Sequence, residues 1–119
     1  MKFSIERKKF LDALTIGASM AGRTKTVPIL ECAKCRVKNN EITIVSTDVE
    51  CWVLKRVPVV SHDEDFEFCV NPSDLTKALK SLNDEEVKLS VTDSIVSIIH
   101  DKGAIEFPSY DFKAFPTAT

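Results

Sequence analysis

A chain of 119 residues has the length of one ordinary domain, or of two small pseudo-repeated halves sharing a core. Its 44% hydrophobic and 29% charged content, with three glycines and five prolines, describes an ordinary soluble globular protein and excludes disorder. A net charge of −2 excludes a globally basic nucleic-acid binder, although the placement of cations counts for more than their sum. No apolar run approaches the roughly 20 residues of a membrane helix, so no transmembrane span and no membrane partner are expected. Met1-Lys2-Phe3-Ser4-Ile5-Glu6-Arg7 turns charged at once and has no apolar h-region, so no secretory signal is expected and the cytoplasm is the expected location. In that compartment Cys32, Cys35, Cys51 and Cys69 are expected as reduced thiols.

Lys2 to Ile5 alternates, with Phe3 and Ile5 on one side and Lys2 and Ser4 on the other, which predicts a short strand. From Glu6 to about Ala21 the period changes. Phe10, Leu14 and Ala18 recur at helical spacing beside Ala13 and Gly17, and Lys8, Asp12, Thr15 and Ser19 form the opposite stripe, predicting an amphipathic helix with one wet face. Gly22 is a helix stop, Arg23 and Lys25 put two cations on the connection, and Pro28 bars Val27 from helical geometry and starts an extended run. Ile29 to Lys38 carries Lys34, Arg36 and Lys38 on one face and Ala33, Cys35 and Val37 on the other. Asn39-Asn40 signals a hairpin turn into Glu41–Thr47, and Thr47-Asp48 turns into a strand over Glu50 to Val60.

Ser61-His62-Asp63-Glu64-Asp65 reads as a polar, acidic loop and as the best internal boundary. Then the order repeats. Phe66 to Val70 is a strand, and Asn71-Pro72-Ser73-Asp74 starts a helix with Asn71 or Ser73 as cap. Leu75, Ala78, Leu79 and Leu82 form its apolar stripe, with Lys77 and Lys80 on the polar side. Glu86 to Thr92, Ser94 to His100 and Gly103 to Phe107 are strands joined by turns at Asp93-Ser94 and Asp101-Lys102-Gly103. The pattern is strand–helix–three strands, twice, over about residues 1–60 and 66–107, with 108–119 as a proline-punctuated exit. Tight turns make consecutive strands antiparallel. The expected fold is α+β, two helices side by side on one continuous antiparallel sheet.

The residues also resemble a known family, the N-terminal domain of the bacterial DNA polymerase III beta subunit, the sliding clamp. Met1-Lys2-Phe3-Ser4-Ile5-Glu6-Arg7 resembles its usual start, Val27-Pro28-Ile29-Leu30 its Leu-Pro-Ile-Leu element, and Ser46-Thr47-Asp48-Val49-Glu50 its Thr-Asp-Leu-Glu turn. Val70-Asn71-Pro72-Ser73-Asp74-Leu75 with Lys80-Ser81-Leu82 is similar to the ends of its second helix, and Phe107-Pro108-Ser109-Tyr110-Asp111-Phe112 with Phe115-Pro116 to its domain exit. Each motif is short and made of common residue types; their order and spacing over almost the whole chain carry the match.

The resemblance implies a single DNA-clamp domain over residues 1–119. It implies a non-enzymatic processivity factor, helices lining a ring around double-stranded DNA, contact with phosphates but not bases, no catalytic residue and no cofactor. Partners would be further clamp domains or subunits to close the ring. Bacterial clamps use three such domains per subunit and two subunits per ring, and the family's pocket for polymerase and loader peptides lies in the later domains. The replicative polymerase and clamp loader are therefore partners only where those domains are present. Whether this chain is a fragment or a one-domain relative stays open at this stage. So does the alternative of a clamp-fold protein-interaction module that does not encircle DNA.

Arg23, Lys25, Lys77 and Lys80 are the DNA-contact candidates, each weighed against an ordinary solvated surface. The family commonly carries Arg shortly before the loop proline, and Arg23 is five positions before Pro28. Lys77 and Lys80 share a helix face. Lys8 and Lys9 open the first helix, where cations gain nothing from the dipole, and Asp12 on the same side dilutes them. Cys32-Ala-Lys-Cys35 is the rival signal, for a small metal or redox protein. Zinc needs four ligands, no second paired motif exists, and strand residues three apart point to opposite faces, so no metal site is assigned.

Overall fold

The computed structural model describes residues 1–20 (17–20 by backbone alone), 32–47, 52–100, 103–111, 113 and 115. Its elements are β1 (Lys2–Glu6), α1 (Arg7–Met20), β2 (Ala33–Lys38), β3 (Glu41–Thr47), β4 (Trp52–Pro58), β5 (Ser61–His62), β6 (Phe66–Val70), α2 (Pro72–Ser81), β7 (Glu86–Val91), β8 (Ile95–His100) and β9 (Gly103–Pro108). The same order, strand–helix–three strands, runs twice with β5 between. The fold is α+β and every strand pairing is antiparallel.

The strands do not form one continuous sheet. They divide into a five-stranded sheet, β5-β1-β7-β8-β9, and a four-stranded sheet, β4-β3-β2-β6. Each run lends its first strand to the other: β1 pairs with β7, and β6 with β2. The reason lies in the buried faces. Phe3 and Ile5 stand opposite Leu89 and Val87, while Phe66, Phe68 and Val70 stand opposite Val37, Cys35 and Ala33. All ten are buried in a single core shared by both sheets, where Phe10, Ala13 and Leu14 of α1 and Leu75, Ala78 and Leu79 of α2 also sit. A second departure concerns the acidic loop. Ser61 and His62 pair with Ser4 and Phe3, extending the five-stranded sheet by one short edge strand. Two residues of polar composition carry no alternation for a sequence reading to find.

Phe3 is the hub of this core. Its ring lies 6.2 Å from Phe10 of α1, edge-on, and 5.8 and 6.1 Å from Phe66 and Phe68 of β6. One side chain thus touches a helix and both sheets. Local signals fix the rest. Asn39 and Asn40 take φ of 54° and 61°, the left-handed pair that a tight two-residue hairpin requires and that Asn tolerates. At the start of α2 the Asn71 side chain accepts from the Ser73 and Asp74 amides at 2.9 and 3.4 Å, with Pro72 in the first turn. The cap is Asn71, not Ser73.

The two helices are tied at one end by Arg7. Its amide donates to the Glu85 carbonyl at 2.8 Å, Nε to the Asp84 carbonyl at 2.6 Å, and a terminal guanidinium nitrogen to the Leu79 carbonyl at 3.0 Å. A cation at the start of α1 gains nothing from its own helix dipole, but here it caps the carbonyl end of α2, where positive charge is favoured. The chain terminus is tied as well. Asp63 accepts from the Lys2 amide at 2.9 Å and lies 3.9 Å from the N-terminal ammonium. The Lys2 amide first, and the ammonium in support, hold its carboxyl below the ordinary carboxylate value, against a smaller opposing effect of desolvation.

Phe3→Ala should cost about 3–5 kcal/mol of stability, read by urea unfolding with an unchanged m-value. Asn71→Ala should cost about 1 kcal/mol by the same measurement. Asp63 has a depressed folded-state pKa, so its stabilisation is complete above the unfolded carboxylate value of about 3.9 and is lost as pH falls through the folded value. Asp63→Asn should therefore lower stability slightly at neutral pH, with the difference from wild type closing below about pH 4 in urea melts.

Candidate nucleic-acid interface

The helices lie side by side on the inner side of the sheets, α1 over β1, β3 and β4 and α2 against β9. Their apolar stripes are spent on the core, so their opposite faces are free to meet something else. On α2 that face carries Lys77 and Lys80, both exposed, and neither has an ion-pair partner among the described residues. Three residues apart on a helix, their stems rise from one strip of surface, about 5–6 Å apart at Cβ. Lys80 also stands in the last turn, where the helix dipole favours a cation, and Asp74 in the first turn, where it favours an anion.

On α1 the exposed cations are Lys8 and Lys9. Lys9 is 3.4 Å from the Glu6 carboxylate and shares its charge with it; Lys8 has no ion-pair partner among the described residues. One cation that the sequence reading did not single out joins this side. Lys55 of β4 stands opposite Ile44, whose side chain is in the core, so Lys55 projects toward the helix layer. It lines a shallow groove between α1 and β4 with Lys9, Asp12, Ala13, Ile16 and Val57. The alternation of its strand was readable from the sequence. What was not readable is that β4 is the edge of its sheet, which leaves an inward-facing position beyond the core and open to water.

Arg23 and Lys25 lie outside the described residues, as does Val27-Pro28-Ile29-Leu30. Of the four predicted contacts, then, the structure brings Lys77 and Lys80 together on one exposed helical strip. Such a strip can neutralise phosphates through long, rotatable ammonium groups, and it offers none of the forked or planar donors that read base edges.

The Cys-x-x-Cys segment is divided by the fold. Cys35 faces the main core, whereas Cys32 belongs with Cys69 and Phe115 to a small cluster on the other side of the four-stranded sheet. Burial, with the nearby Cys69 and Cys32 adding to it, pushes the Cys35 thiol well above the ordinary range. Two sulfurs on opposite faces of a sheet cannot close on one ion.

The comparisons agree with this architecture. The family described as DNA polymerase III beta subunit, N-terminal domain, matches residues 1–119. Beta sliding clamps of Pseudomonas putida and Pseudomonas aeruginosa are each 25% identical to this chain over 118 residues, covering 98% of it and 32% of their own length. A Helicobacter pylori beta clamp bound to a DNA ligase peptide superposes with a TM-score of 0.92 at 18% identity, over 100% of this chain and 33% of that one. A Pseudomonas aeruginosa sliding clamp bound to griselimycin gives 0.91 at 24% identity, over 99% and 32%. At those identities the structural likeness establishes the fold, and the chain spans only about a third of its relatives' length. The family match, in contrast, runs along the whole sequence: this chain belongs to the family of DNA polymerase III beta subunit N-terminal domains.

Proposed function

We propose that this chain works as one domain of a DNA sliding clamp, a non-enzymatic processivity factor that tethers the replicative polymerase to duplex DNA. Residues 1–119 are then a single clamp domain with pseudo-repeat halves at about 1–60 and 66–107 and an exit segment at 108–119. The observation that carries the reading is the family match over the full chain, joined to a helix layer whose wet face presents lysines. The helix layer faces the duplex and the sheets form the outer wall. Contact with DNA is electrostatic and independent of sequence, as sliding requires, and an acidic whole with basic inner helices discourages indiscriminate sticking. Closing a ring takes further clamp domains, contributed by the same polypeptide or by other subunits. Polymerase and clamp-loader peptides dock on those further domains. The role needs no cofactor and places the protein in the bacterial cytoplasm.

Arg23 and Lys25, at the end of α1, and Lys77 and Lys80, on α2, are the phosphate contacts in this reading, with Lys55 a further candidate. Light scattering together with binding to linear and circular duplex at low salt tests it. The expected result is an assembly larger than a monomer that holds circular duplex more persistently than linear duplex of equal length. A strict monomer without affinity at low salt would overturn autonomous clamp function. Changing Arg23 and Lys25 to Ala, or Lys77 and Lys80 to Ala, should each flatten the dependence of log affinity on log salt by up to about two units, with no change in sequence preference. An unchanged slope refutes the assignment for that pair.

A further inference from the structure

β2 buries Ala33, Cys35 and Val37 in the main core, so Lys34, Arg36 and Lys38 stand on the opposite face of the four-stranded sheet, turned away from the helices. Alternate residues of a strand lie about 7 Å apart, and these three form an evenly spaced row. The register carries the charge across the sheet. Arg56 of β4 stands opposite Thr43, Thr43 opposite Arg36, and Arg36 opposite Glu67 of β6, while Lys38 stands opposite Glu41. Arg36 lies 3.7 Å from the Glu67 carboxylate and Arg56 3.9 Å from that of Glu41. Lys34 and Lys38 have no ion-pair partner among the described residues. Across the paired residues of this face, four cations stand against two carboxylates, in a chain of net charge −2. The outer face of the five-stranded sheet has no such excess: Lys2 and Lys88 are accompanied there by Glu6, Glu86 and Glu106.

One end of the row is apolar. Lys34 stands opposite half-buried Val45, and Val45 opposite Leu54, which is 52% exposed. A single exposed leucine is ordinary, but beside a row of cations it adds a second kind of contact at a fixed position. The combination selects among polyanions. Alternate side chains of an extended peptide also recur at about 7 Å, so carboxylates at every second position meet Lys34, Arg36 and Lys38 in register. An apolar residue beyond them then lies against Leu54 and Val45. A single-stranded nucleic acid would use the cations, but its bases stack on aromatic rings. Leu54 and Val45 offer none, and the neighbouring Trp52 already meets Phe115 edge-on, with centroids 6.5 Å apart.

We propose that the outer face of the four-stranded sheet is a docking surface for an extended acidic segment of a partner protein, with carboxylates at alternate positions and an apolar residue at the end that meets Leu54. The cations attract and orient the segment, and Leu54 with Val45 anchors it. This surface lies across the sheet from the helices, so it does not depend on whether the lysines of α2 meet DNA.

The probe is a synthetic peptide with three glutamates at alternate positions, spaced by serines and flanked by leucines. It is titrated into the isotopically labelled whole chain, with amide shifts and the emission of Trp52, the one tryptophan of the chain, as readouts. Binding should saturate, move amides of β2, β3 and β4, shift Trp52 emission to the blue, and weaken several-fold as ionic strength rises from about 0.05 to 0.3 M. Lys34→Gln combined with Lys38→Gln should weaken it about tenfold, and Leu54→Ser about threefold. Unchanged urea midpoints show that these surface variants keep the fold. The proposal is overturned by an absence of saturable binding, by equal binding of a peptide with glutamine for glutamate, or by shifts confined to other strands. Tighter binding of a short oligodeoxythymidylate to the same strands overturns it in favour of nucleic acid. A Trp52 emission that shifts with protein concentration alone overturns it in favour of a second copy of the chain. Duplex DNA titrated separately reports on the amides of α2, so failure of the clamp reading and failure of this one are told apart.

Discussion

The contact on which the rest of the structure depends is the aromatic cluster around Phe3. It sits on a strand of the five-stranded sheet and reaches Phe10 of α1 and the stacked pair Phe66 and Phe68 of the four-stranded sheet. Aromatic pairs of this kind add directional preference to the area they bury, so they fix angles as well as hold surfaces together. That anchor is a direct aromatic contact between the two sheets, within the single core that both share with the helices. With it, β1 is committed to the strands of the second run and β6 to those of the first, and neither run has a complete sheet of its own. The Arg7 clamp then sets the helices at one end, by joining the start of α1 to the carbonyl end of α2. Position of the helices follows from the core beneath them, and position of the lysines follows from the helices.

Much of this was legible in the residues. Alternation placed Glu41–Thr47 and Phe66–Val70 with their observed bounds, and the four-residue recurrence of Phe10 and Leu14 marked the buried side of α1. Asn39-Asn40 and Asn71 announced a turn and a cap because short polar side chains do there what few others can. The partition into two sheets was not legible. Alternation says which face of a strand is buried, but not which strand lies beside it, and Phe3 and Phe66 would read identically in either pairing. Nor could sequence show that β4 is an edge, which is why Lys55 looked like one more charged strand residue. Arg23 and Lys25 lie outside the described residues, and the sequence alone reads them only as a basic connection after a helix.

The charge pattern has a physical logic of its own. Acidic residues are in slight excess overall, and in the proposed clamp role attraction to a duplex would come from a few cations set against that background. Ammonium groups on long stems reach a phosphate from many positions with similar energy. A surface of that kind holds a polyanion without preferring one register along it, whereas a denser or more rigid array of arginines would create deep local minima. In the proposed clamp role, weakness at each contact would be part of what lets a bound duplex move.

The exchange of β1 has a consequence for how the molecule comes into being. Ile5 stands opposite Val87, so β1 must wait for a partner about 80 residues later in the chain. At roughly 5–20 residues per second of synthesis, that interval lasts about 4–16 seconds. During it Phe3 and Ile5 belong to an unpaired strand, and β2 and β3 can form their hairpin long before the core closes around them. Contacts of such long range make assembly slow, and the strands of the second run complete the sheet that β1 began.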